Sequence, residues 1–140
     1  MPESEELLRQ TMQNSGKYWY NEYIEKRRNA DGSMMRNANE IAALYSIIDI
    51  CREEHVLPVM ITTPFLNEYN DVVAKKNPAF YEDFYGIINE VSAQTGVPYY
   101  DYSRDERFSW DYSLFSDTTH LNRDGGLKFT KIVTEEVLGW

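Results

Sequence analysis

The sequence predicts an α/β fold with a parallel sheet, because short apolar runs alternate with amphipathic helical segments. The runs at 56–63 and 97–102 are almost continuously apolar, which is typical of strands buried on both faces. Helical repeats lie before, between and after them, at 37–55, 77–96 and 122–138. Strands that alternate with helices of this length are joined by right-handed crossovers, so the two strands are expected to pair in parallel.

Local signals mark the ends of the predicted helices. Asn37 fits an N-cap with Glu40 as its acidic partner, and Asn77, followed by a proline, is typical of a helix start. Gly96 is the expected C-terminal stop of the middle helix. Asn122 is expected to cap the last helix.

The remaining segments are less regular. Residues 1–36 are expected to form a poorly defined N-terminal arm, in which 17–28 fits a helix or a strand equally well. Loops are predicted at 65–76 and 103–119, and the domain itself at 37–140. Two strands are few for a stable sheet. The sheet would have to be completed by a strand at 17–28, by a partner or by a missing half of the domain.

Composition limits the possible partners. The formal net charge is −9, which disfavours a nucleic-acid or anionic-membrane partner. No apolar run is long enough to insert into a membrane, and the single Cys51 excludes an internal disulfide. We expect no cofactor and no metal, because no further His or Cys stands at ligand spacing.

Asp117 and His120 are the candidate chemical groups. They follow the second strand, where the loops at 65–71 and 104–120 should line one crevice at the carboxyl edge of the sheet. Asp117 could hold Nδ1 of the imidazole and leave Nε2 free to accept a proton. The pair could equally be accidental, with the Asp serving only to cap a turn.

Three motifs in this order carry a family resemblance. They are the helix end at 50–55, the Ile-Thr-Thr-Pro strand end at 61–64 and the Asp-x-x-His block at 117–122. Together they resemble the C-terminal half of an SGNH/GDSL-type hydrolase or acyltransferase. The closer resemblance is to the D-alanine transfer proteins and to the SGNH proteins paired with membrane-bound O-acyltransferases.

The resemblance implies a three-layer, flavodoxin-like SGNH domain with a parallel sheet, present here as its C-terminal half. It also implies a Ser-His-Asp triad in which His120 is the general base and Asp117 orients it. The substrate would be an acylated carbohydrate or a small ester, and the compartment the extracytoplasmic cell envelope of a bacterium.

The chain departs from the family pattern at the nucleophile. The Gly-Asp-Ser motif is absent, and Asp31-Gly32-Ser33 has the inverted order, so Ser33 is a candidate nucleophile that also fits a simple turn. The chain alone is therefore expected to be inactive.

The alternative is a non-catalytic binding or assembly module, whose half-sheet a second copy or a partner subunit completes. For substrate binding the candidates are polar and aromatic side chains near the expected crevice: Asn67, Tyr69, Trp110 and Asn122.

Overall fold

The computed structural model describes residues 2–140, with side chains from residue 4 onward, as a mixed α/β structure. Its helices are α1 (Pro2–Tyr23), α2 (Ala38–Glu53), α3 (Asn67–Lys76), α4 (Ala79–Thr95) and α5 (Arg123–Glu136). Its strands are β1 (Met60–Thr62) and β2 (Tyr99–Asp101), and short 3-10 helices occupy Glu25–Arg27 and Tyr112–Leu114. Among residues 2–140, no helix combines the length and the apolar composition that crossing a membrane requires.

The predicted parallel sheet is confirmed in its coarse form. β1 and β2 pair in parallel with Ile61 opposite Tyr100. Both strands are shorter than their apolar runs, because Pro58 and Pro98 have no N–H to contribute to the ladder. The described residues form two strands, so the three-layer SGNH sheet remains a proposal.

The capping signals in the sequence are confirmed for three helix ends. Asn37 accepts hydrogen bonds from the N–H groups of Asn39 and Glu40, and Asn122 accepts one from Gly125. Gly96 ends α4 in the left-handed region, with φ of 72°. These ends are correct because each cap depends on a residue type that satisfies orphan backbone groups within one turn.

Two assignments of the irregular segments are corrected. The loop predicted at 65–76 is wrong, because Asn67–Lys76 is the helix α3, with Tyr69 and Val73 buried on one face. Its polar residues suggested a loop, but their partners come from distant parts of the chain. In 17–28, the open choice resolves to helix as far as Tyr23, followed by the first 3-10 helix.

The start of α4 also differs from the prediction. Pro78, rather than Asn77, occupies the N-cap position, and Asn77 terminates α3 by donating its backbone N–H to the Val73 carbonyl. Asn77 is buried, and its side-chain amide contacts the Met34 sulfur at 3.1 Å. The short link between the two helices leaves no room for a separate cap.

Helix α1 packs along α3 and contributes to the core. Gly16 permits the close approach, since a Cβ there would lie 3.0 Å from the Glu68 carbonyl oxygen. One turn earlier, Met12 is buried with Leu66 and Phe108. The division of the chain at residues 36 and 37 stays a prediction.

A second close approach fixes α5 against the loop before it. Gly125 lies in the first turn of α5, and a Cβ at this position would collide with the Leu114 carbonyl oxygen. The neighbouring Gly126 has no atom within 4 Å of its virtual Cβ. The glycine pair therefore contains one residue that packing requires and one that it does not.

We predict that Gly125→Ala lowers the free energy of unfolding by about 2–3 kcal/mol, because backbone must move to admit the methyl group. Gly126→Ala is the matched control. It should stabilise the protein by about 0.5–1 kcal/mol, because alanine favours a helix interior. Urea denaturation of both variants measures the difference, and equal effects at the two positions would contradict the packing described here.

Candidate active site

The loops after β1 and β2 meet at the carboxyl edge of the sheet, as expected. The backbone N–H groups of residues 65, 66 and 67 donate in turn to three carbonyl oxygens of the second loop. The acceptors are Ser103 at 3.2 Å, Thr118 at 2.9 Å and Ser109 at 3.0 Å. The start of α3 is thereby held inside the loop that carries the Asp-x-x-His block.

That block forms the tip of a closed turn. The N–H of Ser116 donates to the His120 carbonyl at 2.8 Å, and the N–H of Asn122 donates to the Leu114 carbonyl at 2.9 Å. These two bonds close residues 116–120 into a tight loop. The side chains at its tip are consequently fixed relative to the N-terminus of α5.

Within this turn, Asp117 holds the His120 ring. The Nδ1 atom of His120 lies 2.9 Å from Oδ1 and 3.0 Å from Oδ2 of Asp117. Because an ionised carboxylate only accepts hydrogen bonds, we assign the ring proton to Nδ1. Asp117 Oδ1 also accepts the backbone N–H groups of Thr119 and His120, so the carboxylate caps the turn and orients the imidazole together.

The same contacts favour the ionised form of Asp117. Partial burial acts to raise its pKa, but hydrogen bonds from the Thr119 N–H and the His120 ring outweigh burial, and the pKa is lowered. A carboxylate that stays ionised can stabilise an imidazolium beside it.

The other side of the His120 ring is open. Its side chain is 58% exposed, and no residue in the described chain forms a hydrogen bond with Nε2. Trp19 of α1 lies against the ring, with centroids 5.3 Å apart and planes tilted by 60°. Nε2 is thus free to accept a proton from an incoming hydroxyl.

Helix α1 occupies the expected crevice. Ser15 Oγ lies 3.1 Å from the Thr118 hydroxyl and accepts the Thr118 N–H at 3.3 Å. Ser15 and Trp19 lie one turn apart on the flank that faces the Asp-x-x-His turn. Gln13 and Lys17 are about 200° away around the helix, so they lie on the opposite flank.

Ser33 is not brought to His120 by any contact of the described residues. Its hydroxyl donates to Asp31 at 2.6 Å and accepts from the Asn29 amide at 3.0 Å, within its own turn. No other serine hydroxyl in the part of the chain that the structure describes forms a hydrogen bond with His120. The Thr119 hydroxyl lies 3.0 Å from Nδ1 of His120, on the side of the ring that Asp117 holds. Within the described residues, the fold thus presents a base and its orienting carboxylate with no serine in hydrogen-bond contact.

The four substrate-binding candidates divide among three places. Asn67 and Trp110 line one cleft of about 340 Å³. Tyr69 is buried and lines a separate apolar cavity of about 600 Å³ beside β1, where burial raises its pKa to about 12. Asn122 is engaged as the cap of α5, and its amide nitrogen donates to the Ser113 carbonyl at 2.7 Å.

The contribution of α1 to this site was not predicted from the sequence. Ser15 and Trp19 contact the turn that contains Thr118 and His120 across about a hundred positions of sequence. The spacing of the buried residues Met12, Gly16 and Tyr20 was the available signal, because it marks the buried face of a helix. That signal places α1 in the core but does not identify what it covers.

The fold and the site together define a mixed α/β protein that holds an Asp-oriented histidine at the carboxyl edge of two parallel strands. The DltD protein family model matches residues 5–135, which include most of α1 and nearly all of α5. The chain therefore belongs to the DltD protein family, the D-alanine transfer proteins of cell-envelope D-alanylation. Comparison with curated proteins gives no match, and comparison with solved structures gives none either.

The lowered pKa of Asp117 makes a prediction about stability. Its ionised form stabilises the fold above the unfolded pKa of about 3.9, and this stabilisation is lost as pH falls through the lower folded pKa. Asp117→Asn should cost about 1 kcal/mol at pH 7 and nothing at a pH below the folded pKa.

Denaturation at both pH values measures this difference. Asp49→Asn is the control, because Asp49 is exposed on α2 and accepts no side-chain hydrogen bond in the described residues. A cost for Asp117→Asn that did not change with pH would show that the carboxylate charge has no part in holding the turn.

Proposed function

We propose that this chain supplies the His–Asp half of a Ser-His-Asp site that transfers or hydrolyses acyl esters on cell-envelope carbohydrate. The observation that carries the proposal is the Asp117–His120 pair, with Nδ1 held by the carboxylate and Nε2 exposed. Membership of the DltD family supports D-alanyl esters as the acyl group. The SGNH fold and an extracytoplasmic location belong to the same proposal.

The chemistry follows from the protonation of the ring. A serine hydroxyl gives its proton to Nε2 of His120 as its oxygen attacks the ester carbonyl. The leaving alkoxide then takes that proton, and an acyl-serine remains. An acceptor hydroxyl or water repeats the sequence in reverse, and Asp117 stabilises the imidazolium in both halves.

The serine has to approach the exposed side of His120. In the proposed site, the serine belongs to a segment that does not contact the Asp-x-x-His turn in the described residues. Ser33 does not fill this role here, because its hydroxyl is hydrogen-bonded within its own turn. Trp19 covers one side of the ring, so the hydroxyl would enter beside it. This requirement agrees with the expectation that the chain alone is inactive.

A binding or assembly module is the second candidate, and the sheet favours it. The backbone groups of successive residues in β1 point alternately to the two sides of the strand. The N–H of Met60 donates to the Pro98 carbonyl and the carbonyl of Thr62 accepts the Tyr102 N–H, so these two residues face β2. The backbone N–H and C=O of Ile61 therefore point to the opposite edge. A partner strand, including one from a second copy, could pair with them without using His120.

One experiment separates the two candidates. The natural gene that encodes this chain is expressed in a bacterium lacking its own DltD-family protein, and envelope D-alanyl esters are measured. His120→Ala should reduce ester formation by about 100-fold or more, to the level of the deletion strain, because the general base is lost.

The other histidine provides the control. His55 follows α2 with φ of 58°, so His55→Asn keeps a residue that tolerates this conformation and should retain full activity. If the His120→Ala protein folds and ester formation stays at its full level, the catalytic proposal is wrong. The binding or assembly module would then be the remaining candidate function.

A further inference from the structure

The cleft on the far flank of α1 carries chemistry that the His–Asp pair does not use. Its volume is about 340 Å³, near the lower end of the roughly 300–1,000 Å³ typical of small-molecule sites. The polar and aromatic side chains that line it are Gln13, Lys17, Asn67, Glu68, Asp71 and Trp110. Helix α1 lies between this cleft and the His120 turn.

Most of these side chains have no partner within the described residues. The amides of Gln13 and Asn67, the Lys17 ammonium, the Asp71 carboxylate and the Trp110 indole N–H make no hydrogen bond or ion pair there. They provide both donors and acceptors around one space. A ligand rich in hydroxyl groups could engage all of these types, because a hydroxyl both donates and accepts.

Trp110 gives the cleft an apolar surface. Its side chain is 69% exposed, although the preceding residues Phe108 and Ser109 are buried. The Asn67 N–H donates to the Ser109 carbonyl and holds this part of the loop in place. An exposed indole on a rigid loop presents a flat face at low entropic cost. The C–H face of a sugar ring is complementary to such a surface, while its hydroxyls reach the surrounding polar groups.

Charge further restricts the ligand. Lys17 is the cationic side chain that lines the cleft, together with the carboxyl groups of Glu68 and Asp71. Arg9 also acts on Glu68, but it is already paired with Glu6. Glu68 is held by a hydrogen bond from the Tyr112 hydroxyl, and burial raises its pKa. A phosphate or sulfate group would meet carboxylates and a single lysine, so the charge balance disfavours an anionic ligand.

We infer that the cleft between α1 and α3 binds a neutral sugar ring, stacked on Trp110 and hydrogen-bonded by Asn67, Gln13 and Asp71. This inference rests on the proposed function, because the sugar ring is taken to be part of the carbohydrate that accepts the acyl group. The separation by α1 makes it a subsite for a unit away from the reacting hydroxyl. Binding can be measured without catalysis.

The test is a titration of ¹⁵N-labelled protein with cellotriose, maltotriose and triacetylchitotriose, each to about 10 mM. At least one sugar should shift the Trp110 indole N–H and the side-chain amides of Asn67 and Gln13. Trp110→Ala and Asn67→Ala should each weaken binding by about ten-fold or more. Trp140→Ala is the control, since Trp140 is 84% exposed and outside the cleft, and its affinity should be unchanged.

Three results would overturn the inference. They are no shift with any of the sugars, unchanged affinity in both cleft variants, and tighter binding of glucose 6-phosphate than of the neutral sugars. The outcome is independent of the His–Asp proposal. If the protein binds sugar but forms esters without His120, the sugar site stands and the catalytic role of His120 and Asp117 is wrong. If ester formation depends on His120 but no sugar binds, the catalytic role stands and the sugar site is wrong.

Discussion

Three consecutive backbone N–H groups, at residues 65–67, hold the candidate site together. Each donates to a carbonyl from a different part of the loop that follows β2. Leu66 is fully buried, and leaving a buried N–H unpaired would cost about 1–3 kcal/mol. The start of α3 and the long loop are therefore obliged to fold against each other. This fixes the stretch from Ser103 to Thr118, whose regular structure is limited to one short 3-10 helix.

The position of His120 follows from this constraint. The Leu66 bond fixes the carbonyl of Thr118, between Asp117 and His120, and Ser15 of α1 bonds the N–H and hydroxyl of the same threonine. Thr118 is fully buried, whereas the imidazole two residues later is exposed. A buried anchor beside an exposed base gives the ring a defined position while leaving Nε2 open to a reacting group.

Features that depend on neighbouring residues could be predicted from the sequence. The caps at Asn37, Gly96 and Asn122 and the parallel order of the strands follow from local chemistry and from handed crossovers. The Asp117–His120 contact belongs to this group, because three residues of a tight turn bring the two side chains together. The family resemblance to the D-alanine transfer proteins rested on the same local motifs and is confirmed.

Features that depend on distant contacts could not be predicted in the same way. The polar sequence of α3 resembled a loop, since its amide Asn70 finds its partners in the Ser103 carbonyl and the Tyr81 hydroxyl. The sequence left the structure of 17–28 open between helix and strand, because the buried face of α1 is defined only by its packing against α3. The position of α1 explains why the expected single crevice is divided, with His120 on one flank and the Asn67–Trp110 cleft on the other.

The protonation of the His120 ring decides whether Asp117 orients a general base. In ¹⁵N NMR spectra recorded where the imidazole is neutral, we expect the proton to reside on Nδ1, facing Asp117, and Nε2 to be unprotonated. A ring protonated mainly on Nε2 would exclude this role for His120, because that nitrogen could no longer accept a proton from a nucleophile.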